Sequence, residues 1–375
     1  MKILYDHQIF LNQEYGGPSR YFVNLIKKII NGNEIKVSAP LHINNHLRQL
    51  PNRVIFGLKI SNKFTKFIPQ KIKNEFNNFI LNPVNNSLTG SIIKKFNPEV
   101  VHQTYFENGY KKTRPTIITI YDLIHEKFFI EYGKDKNYRP KKNAIENADK
   151  IICISENTAK DLIDIYKVKK NKIEIIYLSN SLEEELILIT PKINLNNLNK
   201  NYLLFVGKRD GYKNFINFIK AYSQSEKLKK DFKIVCFGNL EFSKQEKSLF
   251  KSLNLNFENI IHIKGDDLTL SHLYKNAKAL VYPSLYEGFG LPILEAMNFD
   301  CPVICSNTSS MPEVAGKSAQ YFDPQNIDSI QEAVTKMVYD ETLSKNLIEK
   351  GKLQAKQFSW KRCANSTLNV YSKVV

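Results

Sequence analysis

Short runs of β-branched and aromatic residues alternate along the whole chain with segments whose apolar positions recur every three or four residues. That rhythm predicts parallel sheets joined by crossover helices, an α/β protein. In the first half the strand-like runs are Lys2 to Tyr5, Val100 to His102, Thr116 to Ile120, Lys150 to Ile154 and Lys172 to Tyr177. Helical spacing begins near Pro18 and again after Ser155, whose hydroxyl is placed to cap the Thr158 amide. Between Leu182 and Asn201 the pattern dissolves into an acidic run and the stretch NLNNLNKN, which favours turns and predicts a linker.

A second series follows, with strands Tyr202 to Val206, Lys233 to Phe237, Ile260 to Ile263, Ala279 to Tyr282 and Val303 to Ser306. Helices are predicted from Asn214, over Ser271 to Asn276 and from Leu291. Two doubly wound, Rossmann-like domains facing one another fit this order, spanning residues 1–195 and 196–357. Ligands of such sheets bind beyond the carboxyl ends of the strands, so function is expected in the interdomain cleft.

Composition narrows the picture. The chain's 375 residues exceed what one hydrophobic core organises, and 42% hydrophobic with 24% charged residues excludes a disordered or fibrous chain. Five cysteines, an odd number without CxxC pairs, read as reduced core thiols. The opening MKILYDHQIF lacks the apolar core of a signal peptide, and no run approaches the roughly 20 apolar residues of a membrane span. A cytoplasmic protein is expected.

The formal charge of +17 points to anionic partners: nucleic acid, an acidic membrane surface or phosphorylated small molecules. It is uneven, with 30 basic against 19 acidic side chains before residue 196. Within Ser61 to Ile80, Lys63, Lys66, Lys71 and Lys73 interleave with Phe64, Phe67, Phe76 and Phe79. The segment reads either as a patch facing the inner surface of the cytoplasmic membrane or as a helix whose aromatics pack on the sheet. The chain has no RNP, KH, zinc-finger or helix-turn-helix signature, which argues against a nucleic-acid partner. No G-x-G-x-x-G follows either domain's first strand, which disfavours a nicotinamide dehydrogenase.

The richest stretch is YPSLYEGFGLPILEAMN, Tyr282 to Asn298, where a strand ends, a Gly-punctuated turn follows and a helix starts with Pro292 in its first turn. Gly288 and Gly290 let backbone approach a ligand, and the helix start offers unpaired N–H groups suited to phosphate. Glu287 in the turn and Glu295 in the helix are placed to accept hydrogen bonds from separate hydroxyls of one extended ligand. The alternative, a carboxylate on the helix dipole and an unrelated surface Glu, makes both incidental to the same turn.

EGFGLPILEA resembles the E-x7-E element of the retaining glycosyltransferase family 4, which has the GT-B fold. The resemblance spans the chain through YGGPSRYF, TIYDLIHEKF, ADKIICISENTAKDL, FVGKRDGYKNF and FSWKRCANSTLNVY. It implies that Glu295 holds the nucleotide ribose and Glu287 the donor sugar, while backbone around Phe289, Gly290 and Leu291 meets sugar and phosphate. It also implies a basic pair on the diphosphate, here Arg209 and Lys213 with Lys208 adjacent, and a loop at Gly16 and Gly17 bordering the same group. Such a pair offsets charge developing on a departing nucleoside diphosphate.

Many relatives end their fourth strand in Thr-x-His-Asp; here the His position is Tyr121, leaving Asp122 and His125 as candidates to contact sugar or acceptor. His7, His102 and Tyr105 are further candidates for the acceptor side. No Asp-x-Asp occurs, so side-chain cations are expected in place of a divalent metal, and no cofactor beyond the nucleotide-sugar donor. The resemblance further implies a terminal segment, 358–375, that crosses back to the first domain. The opening DHQIF with GG-x-SRYF is similar to mannosyltransferases, which favours a GDP-sugar over a UDP-hexose or UDP-N-acetylhexosamine. The expected acceptor is a glycan or lipid-linked glycan.

Overall fold

Alternating strands and helices give the chain two all-parallel sheets, one per compact unit. The computed structural model describes residues 1–60, 77–106, 109–128, 138–182, 184–191, 198, 201–209 and 211–375. The first unit comprises Met1–Leu178 together with Trp360–Val375, and the second Ser179–Ser359. Most of the basic segment Ser61 to Ile80, and most of the Asn-rich stretch, lie outside the described residues.

In the first unit the strands are β1 (Lys2–Tyr5), β2 (Glu34–His42), β3 (Ile55–Lys59), β4 (Val100–Gln103), β5 (Thr116–Ile120), β6 (Lys150–Cys153) and β7 (Ile173–Ile175). Their order is β3-β2-β1-β4-β5-β6-β7, so the winding reverses between β1 and β4. Ile3 to Tyr5 and Ile117 to Ile120 are fully buried, as strands covered on both faces must be. The helices are α1 (Gln8–Asn12), α2 (Gly17–Ile29), α3 (Asn82–Phe96), α4 (Ile124–Phe128), α5 (Tyr138–Asn147) and α6 (Glu156–Tyr166). Ser155 caps α6 as expected, accepting from the Thr158 amide at 3.0 Å.

Helix α3 departs from the usual amphipathic order. In its first half the inward positions are Asn85 and Thr89, both fully buried, while Val84 and Leu88 are 40% exposed; farther on, Ile93 packs with Leu4 and Val101. Asn85 accounts for the inversion: its amide takes the Leu41 N–H at 2.8 Å and donates to the Leu41 carbonyl, where β2 loses register with β3. A side-chain amide thus supplies the pairing that the irregular strand lacks.

The second unit holds β8 (Tyr202–Val206), β9 (Lys233–Phe237), β10 (Ile260–Ile263), β11 (Ala279–Tyr282), β12 (Val303–Ser306) and β13 (Ala319–Phe322), in the order β10-β9-β8-β11-β12-β13. The winding here reverses between β8 and β11. Around the sheet run α7 (Phe215–Ser223), α8 (Glu226–Asp231), α9 (Lys244–Ser252), α10 (Asp267–Asn276), α11 (Leu291–Asn298), α12 (Met311–Ala315), α13 (Ile327–Tyr339) and α14 (Glu341–Ala355). Phe205, Phe215, Phe218 and Phe250 form the heart of its core.

The last helix, α15 (Trp360–Ser372), belongs to the first unit. Its Tyr371 hydroxyl lies 2.9 Å from that of Tyr5 and 2.7 Å from His102 Nδ1, and His102 Nε2 meets the Thr119 hydroxyl at 2.9 Å. Burial lowers the His102 pKa to about 3, so the imidazole is neutral and its bonds serve packing. Among the described residues no helix is long and apolar enough to cross a membrane.

Candidate active site

In an open parallel sheet, adjacent strands whose connections leave toward opposite faces open a crevice at their carboxyl ends. In the second unit that place is the β8/β11 boundary, where several of the expected residues meet.

After β11 the chain runs through Pro283 and Ser284 into the turn at Glu287. Gly290 closes it at φ +104°, a conformation that side chains rarely adopt, and α11 begins at Leu291 with Pro292 in its first turn. Ser309 and Ser310, following β12, staple the turn: the Ser309 hydroxyl donates to the Glu287 carbonyl at 2.7 Å and accepts the Glu287 N–H at 3.1 Å. Ser310 donates to the carbonyls of Glu287 and Phe289. The helix start is held rigid before any ligand arrives.

Both turn and helix carboxylates are largely buried and anchored. Lys213 Nζ donates to Glu287 Oε1 at 2.7 Å and lies over the rings of Tyr212 and Tyr282. The Tyr282 phenol also binds Glu287; burial first, and that carboxylate second, raise its pKa well above the usual range. Glu295 accepts from the Tyr274 phenol at 2.9 Å. Lys213 comes from the turn after β8, which the Leu285 amide ties to the Tyr212 carbonyl at 2.7 Å. Loops from both strands are thus joined.

Arg209 has partners of its own. Its Nε donates to Glu246 at 2.6 Å and its Nη2 to the Glu241 carbonyl at 2.8 Å, with the guanidinium over the Phe242 ring. Glu246 also closes the capping box of α9 with Ser243. Burial pushes the Glu246 carboxyl up, but the hydrogen bonds from Arg209 and Ser243 outweigh it and hold the pKa below its ordinary value. Lys208, next in line, is exposed.

The first unit distributes its expected residues differently. Gly16 precedes α2 and Gly17 opens it; the Ser19 amide of that first turn is taken by the Gln13 side chain at 3.3 Å. Asp122 follows β5, where burial raises its pKa and Lys141 draws it back. Lys141 is itself buried, donating to the Asp122 carbonyl at 3.0 Å and pairing with Glu126 at 2.8 Å, and Tyr166 completes Glu126's shell. His125 is exposed on α4. Tyr121, in the place of the family's His, points its hydroxyl at the Thr104 carbonyl, 3.4 Å away.

Sequence reasoning passed over Tyr274, Tyr282, Ser309, Ser310 and Glu246. The two tyrosines sit in apolar runs and read as core, and which hydroxyl reaches which carboxylate depends on strand order. Ser309 and Ser310 carried a signal: a polar cluster after a strand and before the Met-Pro-Glu helix start.

A solved structure, the sucrose-phosphate synthase of Thermosynechococcus elongatus, shares this fold with a TM-score of 0.74 at 18% identity, over 99% of this chain and 98% of that one. The chain has the fold class of the GT-B glycosyltransferases. It belongs to glycosyltransferase family 4: residues 15–179 match the Glycosyltransferase Family 4 domain and residues 188–354 the domain described as Glycosyl transferases group 1. It is 46% identical over 105 residues to the O-antigen chain mannosyltransferase B of Escherichia coli, a match covering 28% of each. It is 27% identical over 311 residues to the serotype-specific mannosyltransferase WbdA of Escherichia coli, covering 76% of this chain and 38% of that one. The chain thus spans well under half the length of these curated relatives.

Proposed function

We propose that the chain transfers a hexose, with mannose favoured, from a nucleotide diphosphate sugar to a hydroxyl of a glycan or lipid-linked glycan, with retention of configuration and without a metal. The observation that carries this reading is the Glu287–Lys213 pair beside the α11 N-terminus at the β8/β11 switch point. A helix start and a lysine suit a diphosphate; a carboxylate within reach of that lysine suits the hydroxyls of the attached sugar.

On this reading Lys213 leaves Glu287 for the leaving diphosphate as the donor seats, and the freed carboxylate takes up donor-sugar hydroxyls. Glu295, already accepting one phenol, retains acceptor capacity for the ribose. The exposed Lys208 is the second cation, and Arg209 supports the loop through Glu246. Asp122, in the first unit, serves the acceptor. The similarity to two mannosyltransferases supports mannose and, through it, a GDP-sugar over a UDP-sugar.

Attachment to an anionic membrane surface is part of the same proposal. The π-helical turn Asn77–Leu81 and α3 expose Phe79, Ile80, Val84 and Leu88 on the first unit, with Lys94 and Lys95 farther along the helix. Apolar side chains beside lysines suit an interface that combines insertion with charge attraction.

The test is turnover of GDP-mannose, UDP-glucose and UDP-N-acetylglucosamine by the purified chain, with and without EDTA. Consumption of GDP-mannose in EDTA is expected. Consumption of none of the three overturns the activity, and strict dependence on added manganese or magnesium overturns the metal-free part. Sedimentation with anionic vesicles but not neutral ones is expected for the membrane contact; equal recovery overturns it.

A further inference from the structure

The turn, the carboxylate and the lysine on which the proposed function depends all meet one side chain, Tyr282, the last residue of β11. We propose that Tyr282 is a positioning residue whose phenol keeps the Glu287 carboxylate in its sugar-binding orientation while Lys213 passes to the diphosphate. This rests on the glycosyl-transfer reading and says what holds that carboxylate during the exchange.

Tyr282 is buried, on a strand flanked by β8 and β12, and stands opposite Cys305 in the parallel pairing with β12. Its ring lies beneath the Gly290 turn: a Cβ added at Gly290 would sit 3.7 Å from Tyr282 Cε1. The Lys213 ammonium stands 5.5 Å from the ring centre, and the phenol binds Glu287. One ring, fixed in the sheet, thus supports the start of α11, faces the lysine and ends on the carboxylate.

The two partners of Glu287 differ in kind. Lys213 offsets the charge of the carboxylate, which then attracts a sugar hydroxyl less strongly. The phenol occupies one lone pair and leaves the charge in place. Burial first, and the carboxylate second, raise the Tyr282 pKa well above its ordinary value, so the phenol keeps its proton and meets the carboxylate as a donor. A buried carboxylate whose lysine departs needs such a neutral donor, or it draws the lysine back. Glu295 shows the same device, seated by the Tyr274 phenol at 2.9 Å. Both glutamates are therefore oriented by groups that do not neutralise them.

Titration calorimetry of the full chain with GDP-mannose and GDP tests this, with UDP-glucose and UDP as a second pair. Tyr282→Phe keeps the ring under Gly290 and removes only the hydroxyl. It should weaken the nucleotide-sugar about tenfold, the scale of one hydrogen bond to an ion, and leave the bare nucleotide within about twofold. In a Glu287→Gln background the same substitution should add almost nothing, because the phenol acts through that carboxylate. Lys213→Met approaches the question without touching the phenol: both ligands should weaken, with the ratio of their affinities preserved. Equal affinities in wild type and Tyr282→Phe, an equal loss for sugar and bare nucleotide, an additive loss in the Glu287→Gln background or a collapsed ratio in Lys213→Met each overturn the positioning role alone. Binding of neither nucleotide-sugar by the wild type overturns the glycosyl-transfer reading and the role with it.

Discussion

The two switch points share a backbone plan and differ in what they carry. At β8/β11 the groups are charged and paired with one another: Lys213 with Glu287, Arg209 with Glu246. At β1/β4 the Asp6 carboxyl is held by the Thr104 amide and hydroxyl and the Tyr110 phenol, none of them charged, and Nε2 of the neighbouring His7 is unpartnered among the described residues. Charges cannot be left bare in a cleft, so a site for an ionic ligand stores its charges as internal pairs that the ligand exchanges. Neutral acceptors cost less when bare and can wait unpaired. One architecture thus carries two different sets of polar groups at the ends of its strands.

The contrast is most easily broken at Glu287. Glu287→Gln keeps the shape but loses the charge, and transfer should fall about a hundredfold or more if donor-sugar hydroxyls need the carboxylate; near-normal initial rates would remove it from the chemistry. Lys208→Ala should raise the KM for the donor about tenfold, the scale of one charge-assisted contact. Arg209→Ala should chiefly lower the Tm, and the reverse pattern would exchange their roles.

Acid separates the units by a different lever. His102 is held neutral in the first unit, with a folded pKa below its unfolded one, so the stability it contributes is present above about pH 6.5 and lost as pH falls toward 3. Between pH 6.5 and 5.5 this should cost on the order of 1 kcal/mol, read from urea midpoints. His7 and His42, lowered to about 4 by burial, add to the same slope, so His102→Gln should reduce it by about a third, and an unchanged slope would place the titration on those two alone. The smallest effect concerns salt. Raising it from about 0.05 to about 0.5 M should weaken nucleotide-sugar binding severalfold; an unmoved affinity would mean that the charged pairs at β8/β11 are not what the ligand exchanges.

How much of this was legible in the sequence varied with how local the cause is. Strands β8, β9, β10, β11 and β12 have the predicted bounds because each is a short apolar run cut off by turn residues. Strand β2 escaped notice: it holds Pro40 and slips register between Ser38 and Leu41. Helix α3 escaped because its first half turns Asn85 and Thr89 inward and Val84 and Leu88 outward, so the apolar period that reveals helices starts only at Ile92 and Ile93. At the candidate site the Gly290 turn and the helix start at Leu291 were readable, since backbone conformation and spacing are written in consecutive residues. The phenols of Tyr274 and Tyr282 on Glu295 and Glu287 were not, because such contacts exist only once strands are ordered. Arg209 shows the same limit: of two adjacent basic residues one is buried against Glu246 and the other exposed, and only the fold tells which.

The membership of α15 in the first unit has a consequence for how the protein is made. The ribosome delivers β1 to β7 before the whole second unit, and only after that the helix that brings Tyr371 to Tyr5 and His102. The second unit is complete as soon as its own residues have emerged. The first must wait with a buried-type tyrosine and histidine still open to solvent until α15 has emerged, so strands made before the second unit are sealed after it.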